Sequence, residues 1–204
     1  MRTARSRNPE ATRAALLDAA EAVFLEKGFG NASVSEIAHH AGITKSLVHH
    51  YFGSKEGIWQ EVKLRRFMAY AEQQMAMLES SRPSVELLRA SLAFFFEFLR
   101  QNPQVVRIMA WMFVERDEGM CMQKDRELIR TAVEKIRECQ RQGLLRADID
   151  PRFVIFVFSG MCHHWFQERD HFLVDYGDAG LPGDLDETYL QSIMKLFFEG
   201  VLPR

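Results

Sequence analysis

Hydrophobic positions along this chain recur at a spacing of three and four residues, which is typical of helices that pack through one face. In the first such stripe, Leu16, Leu17, Ala20, Val23 and Phe24 share one side of a helix. Similar stripes follow to the end of the chain, and the sequence contains neither a credible strand pattern nor an internal repeat. The pattern predicts an all-α fold.

Capping residues, prolines and glycines set the bounds of the predicted helices. The first begins at Asn8-Pro9 and ends at Gly28, because proline suits the first helical position and glycine suits the residue after a helix. A long helix from Lys55 to about residue 78 joins the two halves of the chain. Five more helices are expected: one opened by Ser84, then 103 to about 115, about 120 to 142, 151 to about 169, and one capped by Asp186 that ends near residue 200.

The segment from Ser33 to Glu56 carries the signals of a helix-turn-helix. Ser33 and Glu36 form a capping box at the start of one short helix, and Gly42 suits the left-handed residue after it. Thr44 is placed to cap a second helix over 45–51. Val48 and Phe52 would face inward, which leaves polar side chains outward as on a recognition helix. The residues expected to contact DNA are Ser33, Ser35, Thr44, Lys45, Ser46, Leu47, His49, His50, Tyr51 and Lys55.

At these residues the chain resembles the TetR family of bacterial transcriptional regulators. The resemblance covers roughly residues 10 to 62 and is carried by the GFGNAS loop, the SVSEIA helix start, the AGITKS turn and the YF pair before GSKE. It implies a helix-turn-helix domain over 8–54 and a helical effector-binding and dimerisation domain over 55–204. It further implies a dimeric DNA-binding regulator, expected to be a repressor that a small-molecule effector releases from a palindromic operator. The family usually has tyrosine where this chain has His49, so an imidazole N–H would replace a hydroxyl at that position.

The second half is dense in aromatic and methionine side chains. These residues fit either an ordinary core or a drug-sized cavity with a few polar anchors. The resemblance favours the cavity, because such regulators usually bind an effector between helices of this region. The expected lining is Phe67, Tyr70, Phe95, Arg107, Met109, Trp111, His163 and Phe166. The end of the chain also loosely resembles a branch of the family that includes a pyrimidine-responsive regulator, but the similarity names no ligand.

The last two helices predict a homodimer. A helix that is apolar on almost all sides, as in FVIFVF, is expected to be buried on all sides. In a chain of 204 residues this suggests a partner subunit. The expected interface residues are Phe153, Phe156, Val157, Ile193 and Phe197.

Two other functions compete with this interpretation. His164, Glu168 and His171 recur at helical spacing and raise the possibility of a small metalloenzyme, although adjacent histidines on a helix point apart and no HExxH motif is present. The second is a DNA-binding dimer without an effector, in which the aromatic half is solid core. We expect no metal, no cofactor and no enzymatic activity.

Composition supports these expectations modestly. The net charge is −2, but residues 1–65 hold nine Lys/Arg against seven Asp/Glu, and the remainder holds 17 against 21. The basic Arg2, Arg5 and Arg7 form either a solvated tail or an arm that touches DNA. Three cysteines, an odd number and widely spaced, fit reduced thiols. Neither a secretory leader nor an apolar run of about 18 residues occurs, so we expect a cytoplasmic protein without membrane contact.

Overall fold

The structure is a computed structural model that describes residues 9–117, 121–174 and 184–203. These residues form helices without any strand, so the predicted all-α fold is confirmed. The arm residues Arg2, Arg5 and Arg7 lie outside the described residues, as does most of the loop predicted over 177–184. The helices are α1 (Pro9–Asn31), α2 (Val34–His40), α3 (Lys45–Phe52), α4 (Lys55–Ser80), α5 (Val85–Gln101), α6 (Pro103–Val114), α7 (Cys121–Arg141), α8 (Pro151–Leu173) and α9 (Leu185–Val201).

The chain divides into two compact units. Unit 1 comprises residues 1–67 and 107–121, and unit 2 comprises residues 68–106 and 122–204. Helices α4 and α6 therefore each contribute residues to both units. Unit 1 is larger than the 8–54 segment predicted from the sequence, because it also takes in the first half of α4 and the end of α6.

The core of unit 1 is built from α1, α2, α3, the start of α4 and the end of α6. Phe24 packs edge-on against Trp59, with ring centroids 4.9 Å apart. Ile37 of α2 and Val48 of α3 are buried in the same cluster, together with Ile108 of α6. This core fixes the face of α3 that points inward, and hence the face that remains in solvent.

Buried ion pairs attach the first half of α4 to its neighbours in unit 1. The carboxylate of Glu21 accepts hydrogen bonds from both Arg65 and Arg66. Asp117 accepts from Trp59 Nε1 at 2.5 Å and forms an ion pair with Lys63, whose side chain is fully buried. Burying a charge is costly unless it is paired, so these contacts depend on both partners being present.

The end of α6 packs on the end of α1. Gly28 interrupts the helical backbone of α1 with φ of 76°. A Cβ atom placed there would lie 2.8 Å from ring carbons of Trp111. Nearby, the backbone N–H of Gly30 donates to a carboxylate oxygen of Glu115 at 2.8 Å. Glycine is therefore required at position 28 for its backbone conformation and for the close approach of the indole.

Unit 2 is a helical bundle in which α5, α8 and α9 pack on one another. Phe158 of α8 is fully buried and meets Phe197 edge-on, with centroids 5.3 Å apart. Trp165 stacks on Tyr189 at 4.0 Å. Phe96 of α5 contacts Phe166 at 4.8 Å. These aromatic pairs fill much of the space between the three helices.

Most of the predicted helix starts are confirmed. Ser84 accepts a hydrogen bond from the backbone N–H of Leu87, and Asp150 accepts one from that of Arg152, before the predicted proline start at Pro151. The predicted cap of the last helix was wrong by two residues. Asp184 is the cap, because its carboxylate accepts the backbone N–H of Asp186. The carboxylate of Asp186 instead accepts from Trp165 Nε1 at 2.8 Å.

Candidate functional site

The capping box predicted at the start of α2 is present. The Ser33 hydroxyl accepts the Glu36 N–H at 3.2 Å and donates to the Glu36 carboxylate at 2.8 Å, while that carboxylate also accepts the Ser33 N–H at 3.0 Å. Lys27 lies 2.5 Å from the same carboxylate. Hydrogen bonds from Lys27 and Ser33 lower the pKa of Glu36 to about 2. Because this pKa is depressed, the contribution of Glu36 to folding stability is fully present above about pH 4.5 and is lost as the pH falls towards 2.

The capping box changes the role that we assign to Ser33. Its hydroxyl both accepts and donates within the cap, so we move Ser33 from the expected DNA contacts to the residues that position α2. Ser35 on the next position is exposed and remains available. Gly42 has the left-handed φ of 65° that the turn after α2 requires, as predicted.

Helix α3 presents a polar face to solvent. Val48 is buried, which orients the helix so that Lys45, Ser46, His49 and His50 are exposed. The ammonium group of Lys45 has no hydrogen-bond or ion-pair partner among the described residues. The face therefore offers a free cation at its N-terminal end and two imidazoles one turn further on.

The remaining predicted contacts on α3 differ in exposure. Thr44 occupies the cap position, as predicted, but its hydroxyl pairs with the Ser46 hydroxyl at 3.0 Å and not with the helix backbone. Leu47 and Tyr51 are half-buried. The Tyr51 ring meets that of His50 at 5.5 Å and also packs against the core of unit 1.

Of the two ring nitrogens of His49, Nδ1 has a hydrogen-bond partner and Nε2 has none among the described residues. Its Nδ1 lies 2.9 Å from the carbonyl oxygen of Gly53, a geometry in which the imidazole donates its Nδ1–H. In the neutral ring Nε2 then carries a lone pair and can only accept a hydrogen bond. An imidazole in this arrangement can donate to a phosphate only after it has taken up a proton.

Lys55 is not available to DNA in this arrangement. Its ammonium donates to the carbonyl oxygens of Phe29, Gly30 and Ala32 at 2.8, 3.3 and 3.0 Å. It also lies 4.3 Å from the centroid of the Phe29 ring. All three donors of the ammonium are used, so we move Lys55 from the expected DNA contacts to the residues that hold the loop before α2.

The expected effector residues fall into both units. Phe67, Arg107, Met109 and Trp111 belong to unit 1, where Arg107 is exposed and Trp111 packs on Gly28. Tyr70, Phe95, His163 and Phe166 belong to unit 2. In unit 2, Tyr70 contacts Phe95 at 5.6 Å, and Phe95 meets His163 edge-on at 5.4 Å. We therefore retain this second group and remove the first from the proposed effector site.

Two polar residues of unit 2 were missed in the sequence. Gln74 is 5% exposed, and its amide N–H donates to Ser91. Its Oε1 is buried and has no partner within the described part of the chain. Asp125 is partly buried, and this desolvation raises the pKa of its carboxyl group. The spacing could have revealed both, since Gln74 lies four residues after Tyr70 and Asp125 lies three before the buried Leu128.

His163 adds an orphaned nitrogen to this region. Its Nε2 is buried and has no hydrogen-bond partner among the residues that the structure describes, and burial lowers the pKa of the imidazole. On the other side of the aromatic contacts, burial first and the charge of Asp125 second raise the pKa of the Tyr70 hydroxyl. Both shifts favour the neutral forms of His163 and Tyr70.

The residues expected in the dimer interface differ in their exposure. Phe153, Phe156 and Val157 are exposed, at 60%, 74% and 45%. Ile193 and Phe197 are already buried within the chain itself, because α9 packs that face against α8. We therefore remove them from the proposed interface and add Leu196, which is 66% exposed.

The residues considered for a metal site are exposed to solvent. His164, Glu168 and His171 are all exposed on α8. Within the described ranges, no three His, Cys, Asp or Glu side chains are arranged to hold a metal ion. The metalloenzyme alternative gains no support from this arrangement.

Two family models match the chain in order. The bacterial regulatory proteins, tetR family model matches residues 16–62, and the tetracyclin repressor-like C-terminal domain model matches residues 88–179. The chain belongs to the TetR family of bacterial transcriptional regulators. The resemblance seen in the helix-turn-helix is thereby confirmed and extends into unit 2.

Individual relatives support the same assignment. The chain is 25% identical over 184 residues to the HTH-type transcriptional repressor SCO4008 of Streptomyces coelicolor, covering 87% of this chain and 91% of that one. The crystal structure of the regulator SCO4942 of Streptomyces coelicolor superposes with a TM-score of 0.73 at 22% identity, over 93% and 98% of the two chains. AibR in complex with isovaleryl coenzyme A and operator DNA gives a TM-score of 0.69 at 20% identity, over 91% and 96%.

SCO4008 is a transcriptional repressor, which agrees with the helix-turn-helix, and the two solved structures share the fold. Among the helices that the structure describes, none is both long and apolar enough to cross a membrane.

Proposed function

We propose that this protein is a homodimeric, non-enzymatic transcriptional repressor of the cytoplasm, which a small-molecule effector releases from a palindromic DNA operator. Exposed polar side chains on α3 carry this proposal. Lys45 supplies a free cation there, and the cap of α2 is rigidly held by Ser33 and Glu36. A recognition helix reads base edges in the major groove with such a face. The proposed DNA contacts are Ser35, Thr44, Lys45, Ser46, Leu47, His49, His50 and Tyr51.

The dimer is proposed from the apolar surface of α8 and α9. Phe153, Phe156, Val157 and Leu196 expose large hydrophobic side chains on two helices that pack together. Contiguous apolar surface of this kind is unusual on a monomer and typical of an interface. Two copies related by a two-fold axis would present two recognition helices, and such a pair reads two half-sites of inverted sequence.

The effector is proposed to bind in unit 2 among Tyr70, Phe95, His163 and Phe166. Buried polar atoms without partners occur in this region, and a ligand that satisfied them would gain affinity. Since α4 contributes residues to both units, a change in the arrangement of Tyr70 could alter the DNA-binding unit through that helix. Similarly, AibR was crystallised with both isovaleryl coenzyme A and operator DNA.

Selection of bound sequences from a random DNA pool tests the DNA-binding part of the proposal. We expect enrichment of inverted repeats whose half-sites are about one helical turn apart. The Lys45→Gln variant, selected in parallel, should give markedly weaker enrichment. Enrichment of a single asymmetric half-site would argue against a symmetric dimer on DNA, and no enrichment at all would argue against the proposed function.

A DNA-binding dimer without an effector is a second candidate. The close stacking of Tyr70 on Phe98, at 4.7 Å, and of Trp165 on Tyr189 favours a filled aromatic core. The orphaned atoms of Gln74 and His163 favour the effector-binding alternative. Titration of the protein–operator complex with a metabolite library separates the two, since the second candidate requires that no compound changes the operator affinity.

A further inference from the structure

Three polar groups of unit 2 can each accept a hydrogen bond from a ligand. Gln74 Oε1 is an acceptor that is buried without a donor. His163 Nε2 is buried without a partner, and a neutral imidazole accepts a hydrogen bond there when its proton is on Nδ1. The carboxyl group of Asp125 is a further acceptor, and it carries a negative charge when it is ionised. The region thus offers acceptors to a ligand.

Asp125 is the charged member of this group. It lies on α7 three residues before the buried Leu128, so the two side chains share the inward face of that helix. Its carboxylate forms no ion pair or hydrogen bond with any residue of the described segments. Desolvation raises its pKa, and its charge reaches the Tyr70 hydroxyl. A desolvated carboxylate without a cation is unfavourable, and a bound cation would remove that cost.

Aromatic rings surround Tyr70 on the neighbouring helix. Phe94, Phe95 and Phe98 of α5 lie 5.7, 5.6 and 4.7 Å from Tyr70 between ring centroids. His163 of α8 closes the series through Phe95 at 5.4 Å. Ring faces attract cations as well as apolar groups, and the attraction grows when water is excluded.

We propose that the effector of this protein is an organic cation with an aromatic or apolar body, whose positive charge lies beside Asp125 and whose body packs against Tyr70 and Phe95. This inference rests on the proposed effector function and specifies its chemistry. Arg107, which the sequence offered as an anchor for an anion, is exposed and belongs to unit 1. Arg169, whose guanidinium lies 5.3 Å from the Phe166 ring centroid, is paired with Asp186. Asp125, in contrast, is a charged group of this region without an ionic partner among the described residues.

Three probes with the same ring test the charge preference. These are (1-naphthylmethyl)trimethylammonium, 1-naphthalenemethanol and 1-naphthaleneacetate, which are cationic, neutral and anionic. Isothermal titration calorimetry on the full-length protein should give binding of the cation at least tenfold tighter than that of the alcohol, and no binding of the carboxylate. Equal or tighter binding of the alcohol or the carboxylate would overturn the proposal, as would the failure of all three to bind.

The Asp125→Asn variant tests whether the positive charge of the probe lies beside Asp125. This variant should bind the cation at least tenfold more weakly than the parent protein and bind the alcohol with unchanged affinity. Glu134→Gln, on an exposed position of the same helix, should change neither affinity. Unchanged cation affinity in Asp125→Asn would overturn the proposal. Circular dichroism checks that the variant is folded. Above pH 6, the thermal unfolding midpoint of Asp125→Asn should equal or exceed that of the parent protein, because the raised pKa means that the ionised carboxylate destabilises the fold.

Operator binding is measured on the same samples without probe. Normal operator binding with no preference for the cation would reject this inference alone and leave the proposed regulator intact. If the parent protein binds no operator, the proposed function is rejected. The calorimetry would still show whether the site prefers a cation.

Discussion

At the scale of single residues, two lysines ten positions apart differ completely in their environment. Lys45 is exposed on α3 and has no partner among the described residues, whereas Lys55 donates to three backbone carbonyls. We expect Lys45→Gln to weaken operator binding. Loss of one phosphate contact lowers affinity for all sequences and reduces the salt slope by about 1, while loss of a base contact costs ~1–3 kcal/mol at one position. Fluorescence anisotropy at several salt concentrations measures both.

The same substitution at Lys55 is the matched control. Lys55→Gln should lower the free energy of unfolding by about 2 kcal/mol, because hydrogen bonds from a charged donor to three backbone carbonyls are lost. Lys45→Gln should leave the stability unchanged. Chemical denaturation of both variants checks this division of roles. A stable Lys55→Gln protein with impaired DNA binding would return Lys55 to the DNA contacts.

A second prediction at this scale concerns His49. Because its Nδ1–H is used by the Gly53 carbonyl, only the protonated ring can donate Nε2–H to a phosphate. A phosphate beside the ring favours this protonated form, because the two charges are opposite. Binding that favours the protonated form is strongest at low pH, so the operator affinity should fall as the pH rises from 6 to 8.

Substitutions at His49 and His39 test whether His49 is the source of this pH dependence. His49→Gln should flatten the pH profile of operator binding, whereas His39→Gln, on an exposed position at the end of α2, should leave it unchanged. If His49→Gln retains the profile of the parent, the pH dependence originates elsewhere.

At the scale of helices, the close contact between α1 and α6 gives the sharpest prediction. Gly28→Ala introduces a Cβ at a positive φ and within 2.8 Å of the Trp111 ring. The strained positive-φ backbone of Gly28 costs an alanine roughly 1–3 kcal/mol, and the steric overlap costs roughly 1–3 kcal/mol more. Gly143→Ala has a φ of 72° but meets nothing within 4 Å, so it should show the backbone cost alone. Urea denaturation of the two variants gives the difference, and equal destabilisation would mean that the indole moves aside at no cost.

The helix-turn-helix was predicted well because its signals are local. Ser33, Glu36 and Gly42 act on neighbours within a few residues, and the structure has them in the predicted roles. The function of Lys55 could not be predicted in this way, since its carbonyl partners lie 23 to 26 residues away.

The aromatic half shows the same limit more strongly. Trp111 was expected beside an effector because its neighbours are aromatic, but composition does not specify a packing partner. Its contact with Gly28 joins residues 83 positions apart in the chain. Likewise, the apolar sequence of α8 predicts burial on all sides, whereas the structure buries Phe158 and exposes Phe156. The sequence pattern identifies apolar side chains, and only the packing of α9 shows which of them remain for a partner.

At the scale of the whole molecule, the last prediction concerns assembly and its effect on DNA binding. Phe156 is 74% exposed on α8 and is therefore not part of the core of unit 2. Phe156→Asp should therefore leave the fold intact but yield monomers in sedimentation velocity, because a stable interface of about 2,000 Å² does not accommodate a buried unpaired carboxylate.

Phe113→Asp is the matched control for this prediction, since Phe113 is 86% exposed on α6 and outside the proposed interface. It should remain a dimer. Because a palindromic operator is bound by two recognition helices at once, the Phe156→Asp monomer should also lose most of its operator affinity, although every DNA-contacting residue is unchanged. A dimeric Phe156→Asp protein would place the interface elsewhere, and a monomer with full operator affinity would show that one subunit suffices for recognition.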